Sequence, residues 1–127
     1  MTLLIVVVFV AGLSFLLYPT VSDLWNRAHQ SRAIATYTEQ VEKLDDSSNK
    51  EMLKAARKYN KELLEKADHW KLSKKDKKKY ESLLDVSGTG IMGYIEIPKI
   101  DCSLPVYHGT DEGALQIAIG HLEGSSL

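Results

Sequence analysis

One cysteine, four histidines and one acidic–aromatic tripeptide are the residues of this 127-residue chain with chemistry to offer. The thiol is Cys102. A reactive thiolate needs a neighbouring cation to depress its pKa, whereas Cys102 follows the carboxylate of Asp101. That setting suits a structural or surface cysteine. With no second thiol, no internal disulfide can form. His108 stands in Tyr-His-Gly-Thr and His121 in Gly-His-Leu-Glu-Gly. No nucleophile–base–orienter set accompanies either of them. Asp68 and His69 are adjacent, which makes a poor pair of metal ligands, and no other His, Cys or Asp cluster has ligand spacing. The helical region carries no Glu-x-x-His set for a site between helices. The plain reading of Ala67-Asp68-His69-Trp70 is a helix end with Trp70 packed on the body.

These residues must be positioned by four stretches. Residues 1–22 carry no charged side chain, and from Leu3 to Tyr18 only Ser14 and the tyrosine hydroxyl are polar. This run is just short of the ~20 residues that span a bilayer, and Tyr18 and Trp25 suit its interface. No small-residue cleavage site follows cleanly, so a membrane anchor over 1–19 is preferred to a removed signal peptide. From Ser22 the pattern is helical. Ile34, Tyr37, Val41 and Leu44 form one apolar stripe, and Glu39 and Lys43 an i, i+4 pair. Residues 45–49 break the helix, with Ser48 and Glu51 spaced as a capping box. A second helix places Leu53, Ala56, Leu63 and Ala67 on one side. The two stripes are expected to meet as an antiparallel hairpin or to lie on the β-rich part.

Residues 39–81 hold thirteen of the sixteen Lys and Arg residues. Lys71, Lys74, Lys75, Lys77, Lys78 and Lys79 lack interleaved aromatics and any nucleic-acid motif, so they read as a solvated basic linker and not as a nucleic-acid patch. The last third is where β structure is legible. Residues 91–97, Ile-Met-Gly-Tyr-Ile-Glu-Ile, are β-branched and aromatic and lie between Gly90 and Pro98. Leu104-Pro105-Val106-Tyr107 is a second strand, marked as edge or terminal by its proline. Thr110 or Asp111 can then cap a short helix with Leu115, Ala118 and Ile119 on one face and Gly120 as its stop. Two strands and a short helix bury too little to stand alone. The expected fold class is α+β: a membrane helix, a helical hairpin and the first strands of an incomplete barrel.

The string MGYIEIPKID…LPVYHGT…LQ…GHLEGSSL resembles the start of the catalytic barrel of class C sortases, the pilin-polymerising transpeptidases of Gram-positive surfaces. LLYPTVSDLWNRAHQSRAIATY, residues 16–37, is similar to their membrane-exit segment. The resemblance divides the chain into an anchor (1–19), a helical N-terminal region (20–67), a lid loop with basic linker (68–89) and a truncated barrel start (90–127). It implies a cysteine transpeptidase that cleaves LPxTG-like sorting signals and joins pilin subunits. Its partners would be pilins and other surface proteins bearing such signals, together with the membrane.

The resemblance implies no cofactor, and an extracytoplasmic body, although Arg27 and Arg32 after the anchor would by charge alone place it inside. The catalytic cysteine, histidine and arginine are expected beyond Leu127, which makes the chain an N-terminal piece, inactive alone. Cys102, His108 and His121 match none of them. The family's lid motif, an Asp and an aromatic two residues later around a proline, matches Asp68 and Trp70. A carboxylate there can sit beside a catalytic cysteine and arginine while an indole fills the apolar acceptor pocket. His69 occupies the proline position, which lowers the expected rigidity of the loop. The alternative from another class is a non-catalytic, membrane-tethered helical scaffold or binding protein.

Overall fold

The computed structural model describes all residues, Met1–Leu127. α1 (Thr2–Glu42) is one unbroken helix of 41 residues, so the boundary expected at residue 19 is not a break in the backbone. Pro19 lies inside it. The proline withholds one N–H from the ladder, but the flanking turns on both sides continue. The helix is long and apolar enough to cross a membrane, and its apolar stretch is not buried against the rest of the protein.

Lys43, Leu44 and Asp45 link α1 to α2 (Asp46–Leu64). The cap of α2 is Asp45 and not the expected Ser48, which lies within the helix. An Asp45 carboxylate oxygen accepts the Ser48 N–H at 2.9 Å, and the other accepts the Ser47 hydroxyl at 2.8 Å. Both residues are good caps by type. Asp45 reaches two donors at once and starts the helix earlier.

The interior face of α2 is Ala56, Tyr59 and Leu63, whereas Leu53 is half exposed and Ala67 lies beyond the helix. The stretch read as a basic linker contains a third helix, α3 (Lys74–Ser82), capped by Ser73, whose hydroxyl accepts the Asp76 N–H. Its polar sequence gives no apolar stripe; one residue, Tyr80, is buried and fastens it. Tyr59, Leu63 and Tyr80 form the helical core, ringed by Leu72, Leu83 and Leu127. α2 therefore packs on α3, while the stripe of α1 packs on the sheet.

β1 (Ile91–Ile97) has the expected bounds and ends at Pro98. A 3-10 turn, Pro98–Ile100, and Asp101 in the left-handed region (φ 51°) lead into β2 (Cys102–His108), antiparallel to β1. The register shifts between Ile91 and Gly93, a bulge at Met92. β2 is longer than residues 104–107 and lies in the middle of the sheet. Pro105 is tolerated there because the third strand pairs only from Val106 to His108. After α4 (Glu112–Leu115), residues Ile119–His121 form β3, parallel to β2. Ile119 and Gly120 are thus strand, not helix face and stop. The strand passes close to the chain before it: a Cβ on Gly120 would lie 2.5 Å from the Gly109 carbonyl oxygen.

Cross-strand partners share a face. Tyr94 opposite Pro105 and Glu96 opposite Ser103 belong to one side, Ile95 opposite Leu104 and Ile97 opposite Cys102 to the other. α1 covers the first side: Tyr37 meets Tyr94 edge-on, and its hydroxyl donates to the Met92 carbonyl at 3.2 Å. The second side stays open, with Ile95 and Ile97 46% and 44% exposed.

Candidate functional site

The tripeptide Asp68-His69-Trp70 lies in the turn between α2 and α3. Its fixed point is His69. The Nδ1–H of that ring donates to the Gly124 carbonyl at 2.9 Å, and the ring lies against Trp70 at 4.5 Å between centroids, the planes tilted by 43°. Gly124 has φ +86° and its Cα abuts the His69–Trp70 backbone. The flanks of the turn are tied by Lys66 to Asp76 at 2.8 Å. Asp68 pairs loosely with Lys71 at 3.7 Å in the open, and the Trp70 indole is 58% exposed. One face of the loop is thus clasped by the segment after β3, while its carboxylate and indole face solvent. A proline at position 69 would supply stiffness but no ring to bond Gly124. The sequence gives no signal for that bond, which joins residues 55 apart.

The residue that sequence reasoning missed is Tyr80, fully buried. Its hydroxyl accepts the Gly109 N–H at 3.1 Å and lies 2.9 Å from His121 Nδ1 and 3.0 Å from the His121 carbonyl. Its ring meets His108 edge-on at 5.0 Å and Tyr59 at 6.3 Å. Burial raises the Tyr80 pKa above the ordinary tyrosine value, which keeps the hydroxyl neutral and able to donate. The one available clue was that Tyr80 is the lone aromatic in a lysine-rich helix.

His108 and His121 are joined through this tyrosine, and both serve the backbone. His108 Nε2–H donates to the Leu83 carbonyl at 2.7 Å, and its backbone N–H donates to the Gly90 carbonyl at 3.0 Å, closing the loop between α3 and β1. His121 Nε2–H donates to the Ser126 carbonyl at 3.0 Å. Both imidazoles are engaged as fasteners.

Cys102 opens β2, half-buried, on a polar groove of about 680 Å³ between α1 and the β1–β2 turn. Asp23, Arg27 and Asp101 share the groove, and no histidine lines it. The thiol therefore lacks the imidazole partner that activates a cysteine nucleophile in a Cys–His pair. Asp68 and Trp70 belong to a different part of the molecule, so the structure does not gather the thiol, the histidines and the Asp68-His69-Trp70 tripeptide into one centre. The basic residues after the loop are partly neutralised: Lys77 pairs with Glu123 at 2.7 Å, and Lys79 with Glu62.

No protein-family model and no curated protein matches the chain. Solved structures do. Sortase C1 from Streptococcus agalactiae is 45% identical over 76% of this chain and 50% of that one, with a TM-score of 0.69. Sortase C from Clostridium perfringens, in an intermolecular complex with the C-terminal cell wall sorting signal motif, is 30% identical over 76% and 45% (TM-score 0.55). A lid-mutant of the Streptococcus agalactiae enzyme is 29% identical over 74% and 46% (TM-score 0.54). The chain spans about half the length of the structures it matches.

Proposed function

The chain belongs to the class C sortase family, and from that premise we propose that it supplies the anchor, the lid and the first barrel strands of a membrane-bound cysteine transpeptidase. The observation that supports this reading best is the open face of the three-stranded sheet. Ile95 and Ile97 are about half exposed on the side away from α1, as the inner layer of a barrel would be before its other strands close over it. The substrate in this reading is an LPxTG-like sorting signal; it is supported by the similarity to Clostridium perfringens sortase C, solved in complex with the C-terminal cell wall sorting signal motif.

In the proposed reaction a cysteine thiolate attacks the carbonyl of the Thr–Gly bond. The tetrahedral oxyanion is held by an arginine, and a histidine gives a proton to the departing glycine amine. A pilin lysine amine then displaces the thiolate from the acyl-enzyme. These three residues belong to the half of the fold that the chain does not span, and Cys102 is none of them. Asp68 and Trp70 act as the lid, and α1 places the body outside the cell.

Incubation of the intact protein with an LPxTG-type peptide, followed by mass spectrometry, tests this. The expected adduct lies on a cysteine other than Cys102, and Cys102→Ala leaves its yield unchanged. An acyl adduct on Cys102, or none on any cysteine, would overturn the proposal.

A further inference from the structure

We propose that the tip of the β1–β2 hairpin is a second membrane contact, with Ile100 and Lys99 seated in the headgroup layer of the bilayer that α1 crosses. The inference rests on the anchor reading of α1 and adds a surface to it.

The geometry comes from how the sheet hangs on the helix. At its upper end Tyr37 bonds the Met92 carbonyl. Lower down, Gln30 Nε2 donates to the Ile117 carbonyl at 2.6 Å. Lower still, Asp23, Asn26 and Arg27 line one groove with Ile100, Asp101 and Cys102. β1 therefore descends α1 towards the apolar end. The lengths agree: Tyr37 to Asp23 is about 21 Å of helix, and Met92 to the turn at Pro98 is about 20 Å of strand.

The apolar surface of α1 does not stop at Tyr18. Val21, Leu24 and Trp25 are 62%, 71% and 66% exposed, and α1 runs through them without a break. Residues 3–25 make roughly 34 Å of helix, enough for a hydrocarbon layer of about 30 Å. That places Trp25 where indoles concentrate, at the interface. The groove that holds the hairpin tip runs along α1 from Asp23 to Ser31, so its lower end brings the tip to the depth of Trp25.

The tip has the chemistry for that layer. Ile100 is 66% exposed at the end of the turn, and Lys99 beside it is the one Lys or Arg between positions 82 and 127. An exposed isoleucine can enter the acyl boundary while an ammonium meets lipid phosphate. Asp23, Arg27 and Asp101 share the groove between tip and helix, where charges of both signs offset one another. The occupant is the lipid surface, because the patch is continuous in depth with the span. Two contacts with the bilayer would fix the body's rotation about α1, which a single helix cannot do.

The test uses the intact protein in nanodiscs of phosphatidylglycerol and phosphatidylcholine, with Cys102 carrying a small fluorophore and every other cysteine replaced by serine. Nitroxide-bearing lipid is the quencher. Controls place the fluorophore at Thr89→Cys, at the far end of β1, and at Phe15→Cys, inside the span, each with Cys102→Ser. Quenching at 102 is expected to exceed that at 89 severalfold, and Ile100→Asp should bring it down towards the value at 89. Equal quenching at 102 and 89 with strong quenching at 15 would overturn the tip contact and leave the anchor standing. Strong quenching at 102 unaltered by Ile100→Asp would also overturn it. No quenching at 15 would overturn the anchor and the tip together.

Discussion

Gly124 rests against His69 so closely that a Cβ on the glycine would lie 2.5 Å from the His69 carbonyl oxygen, while its own carbonyl accepts the His69 ring N–H at 2.9 Å. The glycine also has φ +86°, a conformation costly to residues with a side chain. Gly124→Ala should therefore lower stability by about 1–3 kcal/mol and detach the loop. The check is amide exchange at residues 68–71 together with the melting temperature. Unchanged exchange there would mean that the clasp does not hold the loop.

Two buried tyrosines should answer differently to the same substitution. Tyr80→Phe leaves the Gly109 N–H without its acceptor and deprives His121 of a partner, at an expected loss of about 1–3 kcal/mol. The Tyr59 hydroxyl has no hydrogen-bond partner. Tyr59→Phe removes a buried group already unsatisfied, so it should be neutral or stabilising. Denaturant unfolding of both variants in the intact protein decides this, and equal losses would contradict the hydrogen-bond assignment.

The difference between these two residues also shows what could be read in advance. β1 was legible to the residue because a β-branched run between Gly90 and Pro98 is a local signal, and the half-buried stripe of Ile34, Tyr37, Val41 and Leu44 was legible from its period. Ile119 and Gly120 were not: Leu115, Ala118 and Ile119 also fit a helix, and what makes 119–121 a strand is parallel pairing with β2. α3 has almost no apolar residue to announce it and is fastened by Tyr80 to residues about 30 and 40 positions later. The Asp68-His69-Trp70 tripeptide was visible as a motif, but its clasp depends on Gly124, which no local pattern links to His69.

Asp45 gives a pH dependence with a defined sign. Its bonds to Ser48, and next to Ser47, lower its pKa from 3.8 to about 2. A depressed carboxyl pKa contributes stability that is fully present above the unfolded value and is lost as pH falls through the folded one. The start of α2 should therefore loosen between about pH 4 and pH 2, seen as faster exchange of the Ser48 amide. Asp45→Asn keeps an acceptor without a titrating group and should flatten that profile. Asp45→Ala should show fast exchange at every pH. A profile for Asp45→Asn that still falls with acid would assign the transition to another group.

The lid reading makes the last prediction. Trp70 is more than half exposed and Asp68 holds only a long pair with Lys71, so in the intact enzyme both are free to reach a neighbouring groove. Asp68→Ala and Trp70→Ala should then raise the rate at which a thiol reagent labels the catalytic cysteine. His69 acts at one remove, through its bond to Gly124. A net hydrogen bond of about 0.5–1.5 kcal/mol corresponds to a population shift of roughly two- to tenfold, and His69→Ala should speed labelling by that order. His69→Pro separates stiffness from the clasp. It restores a fixed φ and removes the ring that bonds Gly124. If the clasp dominates, His69→Pro labels as fast as His69→Ala; if chain stiffness dominates, it labels more slowly than the wild type. The geometry at Gly124 favours the clasp. Identical rates for the wild type and the Asp68→Ala, Trp70→Ala double variant would make the tripeptide an ordinary helix end and remove the lid from the proposed mechanism.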